Sequence, residues 1–141
     1  MNNRVNKKYF AIFSLLMLSP MAWSATCNKA MNNTMINGDL NVPAGATCIL
    51  NNTVVNGDVT VQKNSTLVVD KATVHGDINV EGAKVVKILS SAIQGDVKTS
   101  HISAAFVIDK SAINGDLSCL GNARLSGGNN AISGSKSAQC K

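Results

Sequence analysis

A short phrase, apolar–polar–Gly–Asp–apolar, returns along this chain at an almost fixed interval. It reads Ile36-Asn37-Gly38-Asp39-Leu40, Val55-Asn56-Gly57-Asp58-Val59 and Val74-His75-Gly76-Asp77-Ile78. It returns as Ile93-Gln94-Gly95-Asp96-Val97 and Ile113-Asn114-Gly115-Asp116-Leu117, with a worn copy at Ile132-Ser133-Gly134-Ser135. Successive glycines are 19, 19, 19, 20 and 19 residues apart. So regular a period is the mark of a solenoid, in which each repeat is one coil stacked on the last.

Counting from each glycine, apolar residues fall in columns. Position 3 holds Leu40, Val59, Ile78, Val97 and Leu117, and position 5 holds Val42, Val61, Val80, Thr99 and Cys119. Position 11 holds Cys48, Leu67, Val86, Phe106 and Leu125; position 13 holds Leu50, Val69, Ile88 and Ile108. Position 18 holds Ile36, Val55, Val74, Ile93, Ile113 and Ile132. Positions 3 and 5, and again 11 and 13, alternate in and out as strands do, and β-branched residues dominate. The expected fold is all-β, a single-stranded parallel β-helix of about six 19-residue coils, three-faced and right-handed. At about 4.8 Å per coil it would stand roughly 29 Å tall.

The rival reading is a meander, because Asn-Gly between apolar residues is a strong hairpin signal. A two-residue turn at Asn56-Gly57 would set Val55 directly opposite Asp58. Cross-strand neighbours share a face, so such turns would mix core with charge. A coil corner avoids this, since positions 18 and 3 both point inward across the bend. Gly38, Gly57, Gly76, Gly95, Gly115 and Gly134 are then coil corners, where glycine is expected to supply backbone angles other residues avoid.

The first 24 residues read as a signal peptide. Arg4, Lys7 and Lys8 precede an apolar run from Tyr9 to Leu18, Pro20 follows, and Ala22-Trp23-Ser24 offers a cleavage pattern. The run is too short to span a bilayer, so no transmembrane span is expected after processing. Residues 25–141 then form one β-helix domain of 117 residues. Setting the leader's three basic residues aside leaves 10 Lys and Arg against 8 Asp and Glu, a net charge of +2. Phe106 is the only aromatic residue left, and no Lys/Arg run remains. Nucleic-acid binding needs clustered cations and stacking rings, so it is not expected.

All four cysteines lie in the exported part, which favours disulfides. Cys27 and Cys48 are 21 apart, as are Cys119 and Cys140. One coil plus two places each near pair on adjacent coils, within disulfide reach. The expected bonds are Cys27–Cys48 and Cys119–Cys140, one staple at each end. A zinc site would want a CxxC or a nearby His, and neither is present. The unpaired edges of the end coils need protection, and Met31 and Met35 are available as plugs at the first.

Two columns invite chemistry. Asp39, Asp58, Asp77, Asp96 and Asp116 could bridge a ladder of cations such as Ca²⁺, or each could accept backbone N–H groups within its own turn. Asn37, Asn56, His75, Gln94 and Asn114 could hydrogen-bond along the stack as an amide ladder. His75 belongs to that column and His101 lies on a loop near the one-residue insertion. Neither has a visible catalytic partner. No catalytic residue, resident metal or cofactor is expected. Asn32, Asn51 and Asn64 open N-x-Ser/Thr sequons.

Through its repeated Ile/Val-x-Gly-Asp-Ile/Leu/Val phrases, the stretch 35–134 resembles the bactofilin, or polymer-forming, β-helix family. The resemblance implies a β-helix, end-to-end assembly and no catalytic residues. Family members are cytoplasmic scaffolds, whereas this chain carries a signal peptide and terminal disulfides. The expected role is therefore an exported, non-enzymatic solenoid, periplasmic or extracellular, that is structural or binds an envelope or extracellular protein or glycan. Alternatives are a self-associating, polymer-forming subunit and a polysaccharide-active β-helix enzyme. The last needs a cleft with clustered carboxylates, His or Arg.

Overall fold

The computed structural model describes residues 23–140; most of the expected signal peptide lies outside them. Short strands wind through three parallel sheets in strict rotation. The first sheet contains Ala25–Thr26, Leu40–Val42, Val59–Val61, Ile78–Glu81, Val97–Ser100 and Leu117–Leu120. The second contains Ala30–Asn32, Thr47–Asn51, Thr66–Asp70, Val85–Leu89, Ala105–Asp109 and Leu125–Ser126. The third is built from two-residue strands, Met35–Ile36, Val54–Val55, Thr73–Val74, Ala92–Ile93, Ala112–Ile113 and Ala131–Ile132. The chain is an all-β solenoid of about six coils, and no helix is present among the described residues.

Register follows the sequence columns. Ile78 pairs with Val59 and Val97, Val86 with Leu67 and Phe106, and Ile93 with Val74 and Ile113. These residues fill the interior, with Phe106 the largest fully buried side chain. Every coil presents the same positions inward, so one continuous apolar column forms and burial supplies the main drive to fold.

The one irregular step is absorbed at Ser103 and Ala104, opposite Lys84. The His101 position still stacks nineteen residues above Gly82, with the Gly82 N–H donating to the Ser100 carbonyl. Ile102 keeps that offset opposite Ala83, the Ser103 N–H donating to the Ala83 carbonyl as in the regular coils; by Ala105, which pairs with Val85, the offset is twenty. The N–H groups of Ala104 and Ala105 share the Lys84 carbonyl, the signature of a bulge. Ile102, just before the bulge, turns inward above the buried Ala83, and its N–H is received by the Asn122 side chain.

At both ends a cysteine pair closes the interior. Cys27 bonds Cys48 and Cys119 bonds Cys140, each with Cα atoms 5.3 Å apart. The first coil takes a short cut to make its bond. Only Asn28 and Lys29 separate Cys27 from the second-sheet strand, where the next coil uses Pro43-Ala44-Gly45-Ala46 to turn the same corner. Cys27 therefore comes to lie beneath Cys48. At the far end a turn held by the Cys140 N–H on the Ser137 carbonyl tucks Cys140 over the core, fully buried. Met31 packs against the core, but Met35 is 63% exposed. Strand alternation explains why Met35 is no plug: its neighbour Ile36 takes the inward position.

Candidate functional site

Three corners per coil carry the polar chemistry, and the Gly-Asp corner is the most ordered. Each Asp side chain reaches up, not into its own turn. Asp39 Oδ1 accepts the N–H of Asp58, Asp58 that of Asp77, Asp77 that of Asp96, Asp96 that of Asp116 and Asp116 that of Ser135, at 2.7–2.9 Å. The carbonyl of the upper Asp in turn accepts from the residue after the lower one, as from Leu40 to Asp58 and Ile78 to Asp96 at 2.8 Å. This corrects the expectation that each carboxylate caps its own turn. The corner has no strand ladder, so the carboxylate supplies the missing acceptor for the coil above.

The glycines serve this clasp in a way that differs from expectation. Gly38 alone among the corner glycines has a positive φ, 138°. Gly57, Gly76, Gly95, Gly115 and Gly134 adopt backbone angles open to any residue. What they require is space. A Cβ on any of them would overlap the Asp carboxylate of the coil below and lie 2.5–2.6 Å from the carbonyl oxygen of the glycine below. Four of these carbonyls accept a glycine N–H from the coil above at 3.1–3.2 Å, the first such bond running from Gly76 to Gly57.

With one oxygen committed upward, the Asp column is a structural ladder. Among the described residues no group of three His, Cys, Asp or Glu side chains is arranged to hold a metal ion. Asp96 is distinct because Lys98 Nζ lies 3.5 Å from its Oδ2. The Asp116 N–H, with a further contribution from Lys98, holds the Asp96 carboxyl below its ordinary value, against an opposing effect of desolvation. A depressed folded-state pKa stabilises above the unfolded value, about 3.9, and that contribution is lost as pH falls through the folded value. The Asp96→Asn variant keeps an acceptor but loses the charge. Its stability is expected to fall less steeply than the parent's below about pH 4, measured by urea denaturation at a series of pH values.

The amide column forms one rung among the described residues, Asn56 Nδ2 to Asn37 Oδ1 at 2.8 Å. His75, Gln94 and Asn114 lie in line above it without side-chain bonds to one another. A second rung was not foreseen: Asn52 donates to Asn33 Oδ1 at 2.6 Å. It marks the corner between the second and third sheets, where Asn33, Asn52, Lys71, Ser90, Lys110 and Asn129 all have φ of 47–57°. Asn is the side chain that best tolerates this left-handed region. The recurrence of Asn at 33, 52 and 129 was the available signal. Behind this corner Thr53, Ser91 and Ser111 are buried, and each hydroxyl donates to carbonyls of its own coil and the one below. Thr53, the hydroxyl residue of the Asn51 sequon, is thus committed to the interior.

The first sheet's outer face carries a shallow groove of about 740 Å³. Two outward columns line it: Thr60, Asn79, Lys98 and Ser118, and beside them Gln62, Glu81, Ser100 and Leu120. His101, at its left-handed corner position, stands at the rim with Lys63. The groove therefore offers neutral donors and acceptors, two cations, one carboxylate and an imidazole. Neither Glu81 nor His101 makes a side-chain hydrogen bond among the described residues. The surface can hydrogen-bond a polar ligand running along the stack, which would meet a fresh row of groups at each coil, about 4.8 Å apart.

No family model, curated protein or solved structure matches this chain. The β-solenoid and its two cystines stand on the geometry alone. Disulfides are compatible with an oxidising, exported location. No helix among the described residues is long and apolar enough to cross a membrane.

Proposed function

We propose that this protein is an exported, non-enzymatic solenoid that acts in the periplasm or outside the cell as a binding element. Its contact face is the groove on the first sheet, and its ligand is an extended polar polymer, a glycan strand of the envelope. The observation that carries this reading is the paired column of hydrogen-bonding side chains from Thr60 to Ser118 and Gln62 to Ser100. Such groups suit hydroxyl-rich ligands, which need many directed bonds rather than one deep apolar pocket. The two cystines support export, since disulfides persist in oxidising compartments.

The test is titration of soluble peptidoglycan and exopolysaccharide fragments, followed by calorimetry. The parent is expected to bind one of them. The double variant Gln62→Ala/Asn79→Ala, altered only on the outer face, is expected to lose at least about tenfold in affinity while melting at the parent temperature, since each lost bond costs about 1 kcal/mol. Equal binding by the variant, or no binding by the parent across the panel, would overturn the reading.

A second reading is a bactofilin-like subunit that joins end to end. It draws support from the repeated coil phrase and from the end strands Ala30–Asn32 and Leu125–Ser126, each paired on one side only. Open edges are templates for further pairing. A mass that stays monomeric in light scattering as concentration rises would remove it.

A further inference from the structure

Three Asn-Gly steps share the same local sequence chemistry, yet the fold gives them different surroundings. Asn114-Gly115 is held inside the stack. The Gly115 N–H donates to the Gly95 carbonyl at 3.1 Å, and the Gly115 carbonyl accepts the Gly134 N–H from above. Asn56-Gly57 is held less. Gly57 makes no bond to the Gly38 carbonyl, but the Asn56 amide nitrogen is tied to Asn37 Oδ1 at 2.8 Å. Asn37-Gly38 lies on the end coil, with the Trp23 backbone against Gly38. All three Asn residues are exposed; Asn37 differs in that its carbonyl oxygen accepts the Asn56 amide, which draws electrons from Cγ.

We infer that Asn37 is a site of spontaneous self-modification, and that the stack shields Asn114 and partly shields Asn56 from the same reaction. The Gly38 peptide nitrogen attacks Cγ of Asn37. A C–N bond forms, the bond from Cγ to the side-chain nitrogen breaks, and the peptide proton leaves with that nitrogen as ammonia. Water then opens the succinimide at either carbonyl, giving isoaspartate or aspartate. No electrons are exchanged, and water is the only co-reactant.

Two features set the order. Attack requires the glycine peptide to rotate, and rotation is opposed where that N–H is bonded and coils press from both sides, as at Gly115. Departure of ammonia requires a free side-chain nitrogen. At Asn56 that nitrogen is the donor of the amide rung, whereas at Asn37 only the oxygen is engaged. The aspartate product would keep an acceptor for Asn56. The isoaspartate product adds a methylene to the backbone, which this coil can take up because its strand Met35–Ile36 is paired on one side only among the described residues; local opening is easiest at the ends of a stack.

The experiment incubates the folded, oxidised protein at mildly alkaline pH and maps peptides by mass spectrometry, resolving isoaspartate from aspartate by retention. A reduced, denatured sample runs in parallel. In the denatured chain the three steps should convert at similar rates. In the folded protein Asn37 should convert first, Asn56 more slowly and Asn114 at least about tenfold more slowly than Asn37, as expected when reaction follows local opening. Folded Asn114 or Asn56 converting as fast as Asn37 would overturn the inference. So would an unmodified Asn37 in the folded protein while the denatured control converts, or a denatured control that shows no conversion.

Discussion

Replacing Gly95 by Ala is expected to destabilise the protein by several kcal/mol and to leave much of it unfolded at physiological temperature. The new methyl would overlap the Asp77 carboxylate and lie 2.6 Å from the Gly76 carbonyl oxygen. Neither neighbour can retreat freely. Asp77 Oδ1 is the acceptor for the Asp96 N–H, and the Gly76 carbonyl accepts the Gly95 N–H. Forced overpacking costs about 1–3 kcal/mol, and an N–H deprived of its acceptor about 1–3 kcal/mol more. Against a total stability of about 5–15 kcal/mol, that is a large fraction. The matched control is Gly128→Ala, where nothing lies within 4 Å of the added Cβ; it should stay within about 0.5 kcal/mol of the parent. Urea denaturation of both variants measures the contrast. If Gly95→Ala behaved like Gly128→Ala, the close stacking at the Gly-Asp corner would be wrong.

Breaking the staples should have the next largest effect. Each cystine closes a sequence separation of 21 residues and sits at an end of the core. Loop entropy assigns about 3 kcal/mol to a bridge of that span. Cys27, Cys48 and Cys140 are fully buried, so Cys→Ala also leaves small voids. The paired variants Cys27→Ala/Cys48→Ala and Cys119→Ala/Cys140→Ala are each expected to lose about 2–5 kcal/mol. Because coils touch only their neighbours, the loss should concentrate at the end that was cut. Hydrogen exchange checks this. Amides of the Ala131–Ile132 strand should exchange faster when Cys119 and Cys140 are replaced, while those of Val74 and Ile93 change little. Uniform acceleration along the stack would contradict nearest-neighbour coupling.

The inward columns could be read from the sequence because burial repeats. A side chain that faces the core at one coil must do so at the next, and the nineteen-residue spacing of Leu40, Val59 and Ile78 records that. The turn conformations could not be read in the same way. Lys71, Ser90 and Lys110 hold left-handed angles with no mark in their identity, because stacking between Asn52 and Asn129 imposes the conformation that local preference would not choose. The Asp column was visible, but its direction was not: a carboxylate bonding its own turn and one bonding the next coil leave the same residue at the same spacing. Glycine was likewise placed correctly for an incomplete reason, since contact between coils rather than φ demands it beyond Gly38. The groove was hidden because outward residues such as Asn79, Lys98 and Ser118 need not repeat, so no periodicity announces them.

The stacking of successive coils is tested most directly by nuclear Overhauser contacts in the folded protein. Expected are contacts from Ile78 to both Val59 and Val97, and from Val86 to both Leu67 and Phe106, joining residues nineteen or twenty apart on either side. Cross-strand contacts between Val55 and Asp58, with none between those distant partners, would mean antiparallel hairpins and would contradict the solenoid.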